Sequence, residues 1–489
     1  MKKQRASAKV NYIYSVAYSV LTTLLPLVTA PYIARVIGAN GLGIYNYNYT
    51  VVTYFMLFAM LGVGYYGNRA IAKVRDDDEE RNRVFSEIYS LQLLTAGIVA
   101  TVYLIYLIFI VKENRSIAGI MFLYVLAPSI TVNWFFYGLE MFKITVIRNF
   151  IVKIITVSLI FVFVKSRDDL WKYALILALG SFISEGYLIA YVHKFAHYSF
   201  PRFDNIIKHF KPNLVLFIPL IAVSIYRSMD KLMLKWLVDY EEVAFYSNAE
   251  KIINICVAFI TALGQVMLPK MTNLLAKGDV KQFNELTRKS IKFSSFLSIA
   301  MLFGLVGISK TFIPIFYGKG YEACIPILQL LSINLVFIAW GNVLKSEYLI
   351  PKEQDSLYIK SVLWGAVLNL IINILLIPRM KAIGATIGTI SAELFSLSFV
   401  LIGIRAEFSL KQMIKDLIPY VFIGAVMLFS VRIIDEVSIA SFYRLIIEVA
   451  SGAIVYIVLS LLYWHITKDE MESIVVGIIR KITKRKSSI

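Results

Sequence analysis

Cysteine is nearly absent. Cys256 and Cys324 are the only two in 489 residues, and both sit in or beside apolar runs, which excludes a disulfide framework. Histidine is almost as scarce: His193, His197, His209 and His465 are the four, and none lies deep in a long apolar run. No HExxH, CxxC or phosphate-binding glycine loop occurs, so metal and nucleotide chemistry have no anchor and no cofactor is expected. Charged residues make up 17% of the chain, against roughly 25% in a soluble domain. Acid is the scarcer sign, 32 Asp and Glu against 50 Lys and Arg, a net charge of +18.

What the chain has instead is apolar length. Hydrophobic residues are 58% of it, gathered into runs of about 20 residues, enough to cross a bilayer core as a helix. In lipid each backbone N–H and C=O must be bonded within its own segment, and unbroken apolarity without alternation argues against a β-barrel. The expected fold is therefore all-α and polytopic. Fourteen spans are expected, near 12–33, 45–67, 88–111, 117–138, 145–164, 171–192, 213–237, 244–268, 293–313, 323–345, 357–377, 383–404, 417–434 and 443–465. The connections are too short for separate domains, which need roughly 50 residues. Function must then reside in the helices. The basic segment 1–9 could open a signal peptide, but the apolar run behind it is too long and Pro31 follows the Val28-Thr29-Ala30 site. It reads as a cytoplasmic tail before a first span.

Counting Lys and Arg between the spans and just inside their ends gives 34 on the side of the N-terminus and 13 on the other. That bias places both termini in the cytoplasm. The positive charge reflects topology and attraction to anionic lipid, and nucleic-acid binding is not needed to explain it. The tail cluster Arg480, Lys481, Lys484, Arg485 and Lys486 reads as an inner-leaflet anchor. Spans 1–6 and 7–12 also match weakly, at an offset of about 200 residues. Residues 180–185, GSFISE, match 388–393, GTISAE, and Lys153 matches Lys360. Each half has an even number of spans, so the halves share one orientation, as in transporters with parallel repeats. The expected organisation is an N-terminal lobe, 1–211, a C-terminal lobe, 212–405, and two extra helices with the tail, 406–489.

A charge inside a membrane marks a function or a pair by default. Span 7 holds the densest group. Helical spacing puts Ser224, Arg227, Lys231 and Lys235 on one stripe, with Asp230 one turn from Arg227. The stripe is either a cationic face for an anionic head group or an Arg227–Asp230 pair that fixes packing. Arginine suits bidentate phosphate contacts, which favours the first reading. Glu185 and Glu393 occupy matching mid-span positions, where they either bind a coupling Na⁺ or H⁺ or make polar contacts at helix crossings. Arg35, at the outer end of span 1, either meets substrate or snorkels. Lys153 and Lys360 lie just inside the cytoplasmic face, where they either meet phosphate or obey the charge bias; Glu140 and Glu347 are their candidate partners. Pro26, Pro31, Pro128 and Pro219 permit kinks.

The run 31–45, PYIARVIGANGLGIY, resembles the first outer loop of polysaccharide transporters, the Wzx-like flippases of the multidrug/oligosaccharidyl-lipid/polysaccharide exporter superfamily. The run 227–234, RSMDKLML, followed by 243–249, VAFYSNA, resembles that family's second-half signature, with Val243 and Ala244 where the family often has glycine. The resemblance covers spans 1–12 at least, and Arg35, Arg227, Asp230 and Lys231 are its matching charged positions. It implies two six-helix lobes around a cavity that opens alternately to each side. It implies as substrate an oligosaccharide on undecaprenyl pyrophosphate, and as pathway partners a polysaccharide polymerase and glycosyltransferases. Two rivals stand beside it. A multidrug–cation antiporter would need cavity acids, yet span 1 has none and span 7 is net basic. A membrane transferase or polymerase would need a positioned base or nucleophile, and none is visible.

Overall fold

The computed structural model describes residues 8–405, 408–435 and 440–472; the basic tail cluster at 480–486 lies outside them. All regular elements among the described residues are helical. The chain divides into two compact units, 1–244 and 245–489.

In the first unit, α1 runs over Ala8–Met60. It is followed by α2 (Val63–Val74), α3 (Asp78–Phe109), α4 (Arg115–Ile130), α5 (Asn133–Gly138), α6 (Phe142–Phe163), α7 (Leu170–Val192), α8 (Phe203–Ile207) and α9 (Phe210–Leu237). Two expected spans share α1, and the break between them is a single residue, Gly38, at φ 78°. Only glycine takes that left-handed conformation at no steric cost. Pro26 and Pro31 lie inside the helix, and the one residue of α1 with non-helical backbone is Gly38. Local chemistry sets other ends. The Asp77 carboxylate accepts from the Glu80 amide at 3.0 Å, and Asp78, Glu79 and Glu80 fill the first turn of α3. Those acids suit the positive end of the helix dipole. The core has one cluster around Phe85, Trp134, Phe135 and Phe136 and a second around Tyr45, Tyr103, Met121 and Tyr124.

The second unit holds most of α10 (Tyr240–Ala276), then α11 (Val280–Phe316), α12 (Cys324–Leu331) and α13 (Asn334–Val343). A π-helical segment, Leu344–Leu349, precedes α14 (Asp355–Gly403), α15 (Leu410–Asp435) and α16 (Ser441–Thr467). Again two expected spans share one helix, α14, broken at Lys381 with φ 54°. Its core gathers Phe283, Trp340, Tyr348, Tyr420, Tyr456 and Trp464.

Eleven helices among the described residues are long and apolar enough to cross a membrane. Two of them carry two expected spans each, and α9 covers the remaining span, so fourteen crossings fit the observed helices. Bulky residues such as Ile98, Ile105, Ile108 and Phe109 on α3 stand exposed, as lipid-facing positions should.

Candidate functional site

Helix α9 packs along the second segment of α1. The register is antiparallel: Phe58 lies 5.2 Å from Phe217, the Tyr54 hydroxyl donates to the Ser224 carbonyl at 3.3 Å, and Trp236 Nε1 donates to the Tyr47 hydroxyl at 3.1 Å. Gly43 permits a close approach just beyond this seam. A Cβ there would stand 1.7 Å from the Tyr240 carbonyl oxygen, at the α9–α10 junction.

Along α9 the charges differ in setting. Asp230 is buried, Lys231 and Lys235 are half-buried, and Arg227 is exposed. Asp230 is within electrostatic reach of Tyr54, and Lys231 of Tyr49. Lys235 Nζ lies 3.2 Å from Glu113 Oε2 and 4.2 Å from the Tyr240 ring centroid. Glu113 sits in the α3–α4 connection, where the hydrogen bond from Lys235 holds its carboxyl below the usual carboxylate range. Beside this end of α9 is a cavity of about 640 Å³, lined by side chains including Tyr47, Asn48, Tyr54, Tyr106, Lys235 and Trp236. The arrangement offers an open guanidinium near mid-helix and an aromatic chamber with mixed charge at the helix end.

Other sequence-derived candidates lie elsewhere. Arg35 is exposed on α1. Glu185, on α7, meets Arg148 on α6 at 3.5 Å and accepts from Asn133 Nδ2 at 2.9 Å. Arg148 also donates to the Ser184 carbonyl and to the Asn133 and Asn149 side-chain oxygens, so the pair is enclosed in hydrogen bonds. Glu140 meets Arg75 at 2.6 Å. Glu347 is fully enclosed in the π-helical segment, and Glu393 is half-buried on α14. Lys153 shares an exposed face of α6 with Phe150, Ile151 and Ile154. Lys360 shares one on α14 with Leu363, Trp364 and Val367.

Several polar residues escaped the sequence reading. Arg148 is one. The tyrosines of α1 are another, and the residues 44–50, IYNYNYT, were their only signal. A third is His209, whose Nε2 lies 2.9 Å from Glu87 Oε2 and whose Nδ1 lies 2.7 Å from the Tyr66 hydroxyl. Lys208 reaches the same carboxylate at 2.9 Å. No group of acids, histidines and cysteines fit to hold a metal is found among the described residues.

Comparisons with known proteins find similar sequences, a similar solved structure and a matching family model. A protein of Shigella dysenteriae with the provisional name O-antigen transporter is 25% identical over 387 residues, 78% of this chain and 96% of its own length. The capsular polysaccharide biosynthesis protein CapF of Staphylococcus aureus is 25% identical over 392 residues, 77% of this chain and 94% of its own. Among solved structures, the lipid II flippase MurJ in an inward closed conformation matches with a TM-score of 0.76 at 16% identity. That match covers 93% of this chain and 99% of the other, so the fold is shared. The model of the family described as polysaccharide biosynthesis protein matches residues 8–275, more than half of the chain, and the protein belongs to that family.

Proposed function

We propose that the protein is a flippase that moves a polyprenyl-pyrophosphate-linked oligosaccharide, a repeat unit of a surface polysaccharide, from the inner to the outer leaflet. The head group crosses by alternating access, the lipid tail stays in the bilayer, and no bond is made or broken. The observation that carries this reading is the cationic stripe of α9, with Arg227 exposed on it. A pyrophosphate is the anion such a stripe would meet, and a guanidinium binds it through a planar fork. The names of the relatives, an O-antigen transporter and a capsular polysaccharide protein, support the same cargo. A cationic drug would find the wrong sign along α9, where Asp230 is the single acid against Arg227, Lys231 and Lys235. The setting is the cell membrane, with both termini cytoplasmic.

Arg227 provides the test. A charge-assisted hydrogen bond is worth about 1.5–3 kcal/mol, so Arg227→Gln should weaken binding of lipid-linked substrate by about tenfold or more. Arg227→Lys keeps the charge without the fork and should retain part of the transport. Affinity is measured in nanodiscs, with folding followed separately by thermal unfolding. Wild-type affinity in a well-folded Arg227→Gln protein would remove this mechanism's central residue.

A further inference from the structure

We propose that the aromatic cavity at the outer end of α9 binds a sugar ring of the transported head group. The proposal rests on the flippase reading and goes beyond it by assigning a second contact, separate from the phosphate. The walls carry the argument. A pyranose has an apolar C–H face and a rim of hydroxyls. The first matches aromatic side chains, and the second matches groups that donate and accept side by side.

The cavity supplies both. Tyr47 and Tyr240 meet edge to face at 5.8 Å, and Trp236 is tied to the Tyr47 hydroxyl. Lys235 and Glu113, 3.2 Å apart, place a donor and an acceptor together at the same end. Because Lys235 is already neutralised by Glu113 and lies over the Tyr240 ring, the chamber suits a neutral polyol better than a second phosphate. Tyrosine and tryptophan also form belts at membrane interfaces, where they meet lipid head groups. A belt does not require a concave pocket, whereas this one, at about 640 Å³, is within the range of roughly 300–1,000 Å³ of small-molecule sites. Position along the helix agrees as well. Lys235, which lines the cavity and shares the stripe of Arg227, is eight residues beyond it, about 12 Å along the axis at 1.5 Å per residue. An oligosaccharide covers that distance; a pyrophosphate alone does not.

The experiment uses the purified full-length protein with two separate probes. One is a pair of neutral trisaccharides, maltotriose and N,N′,N″-triacetylchitotriose, followed by saturation-transfer NMR. The other is inorganic pyrophosphate, followed by calorimetry. Trisaccharide binding should weaken about tenfold or more in Trp236→Ala and survive in Trp236→Phe, which keeps an aromatic wall. Pyrophosphate binding should be unchanged in both and weakened in Arg227→Gln. Thermal unfolding checks each variant, and Tyr47→Phe, which loses only a hydroxyl, takes the place of any that fails to fold. Equal trisaccharide affinity in wild type and Trp236→Ala overturns the cavity assignment. So does the absence of trisaccharide binding while pyrophosphate still binds, which leaves the aromatic residues as an interfacial anchor only. Displacement of trisaccharide by phosphatidylglycerol vesicles overturns it in favour of a lipid head-group site. Loss of both ligands from the wild-type protein would instead count against the flippase reading.

Discussion

A guanidinium shut inside a helix bundle needs every direction of its fork occupied, and Arg148 meets that need with Glu185, Asn133, Asn149 and the Ser184 carbonyl. Removing one partner of a buried pair leaves an uncompensated charge, at a cost of about 3–5 kcal/mol. Arg148→Ala should therefore lower the thermal unfolding temperature sharply. The double variant Arg148→Met with Glu185→Leu, which deletes both charges, should recover most of the loss. A double variant no better than the sum of the singles would show that the two do not depend on each other. Arg227 is the contrast, since its exposure predicts a change in binding with little change in stability. Glu185 was legible in the sequence because a mid-span acid needs a reason. Arg148 was not, because a positive residue near the span end expected to be cytoplasmic is already explained by the charge bias. The tyrosines of α1 were hidden in the same way, since aromatic residues are ordinary in a membrane span and only α9 beside them gives them a shared purpose.

At the scale of the element, the approach of α1 to the start of α10, just past its seam with α9, depends on Gly43. A methyl group there would meet the Tyr240 carbonyl oxygen well inside contact distance, so the backbones would have to separate. Gly43→Ala should cost about 1–3 kcal/mol through overpacking, read as a lower unfolding temperature in detergent. Trp236 emission should shift as its tie to Tyr47 loosens; unchanged stability and emission would mean that the seam is slack. The helical class and the run of spans were readable because lipid demands length and apolarity, and both are written residue by residue. The tightness of the turns was not. Hydropathy marks where a helix leaves the membrane, but whether the chain then spends ten residues or one depends on a single conformation, such as the positive φ of Gly38 or Lys381.

For the whole molecule, orientation remains the property that the sequence states most directly. Reporter fusions after Lys9 and after Ser488 should both report from the cytoplasm. One reporting from outside would break the even span count and the parallel repeat together. The break at Gly38 has a further bearing on how the protein can be handled. Two crossings joined by one residue leave no slack for a cleavage site, a purification tag or a bulky label at the junction between them. The non-helical stretch 193–202 offers more length, yet it is strapped to α3: Arg81 donates to the Phe195 carbonyl, and the His197 and Ser199 amides donate to Asn82 and Ser86. A probe of motion at either place therefore has to be small, a single cysteine or an unnatural side chain.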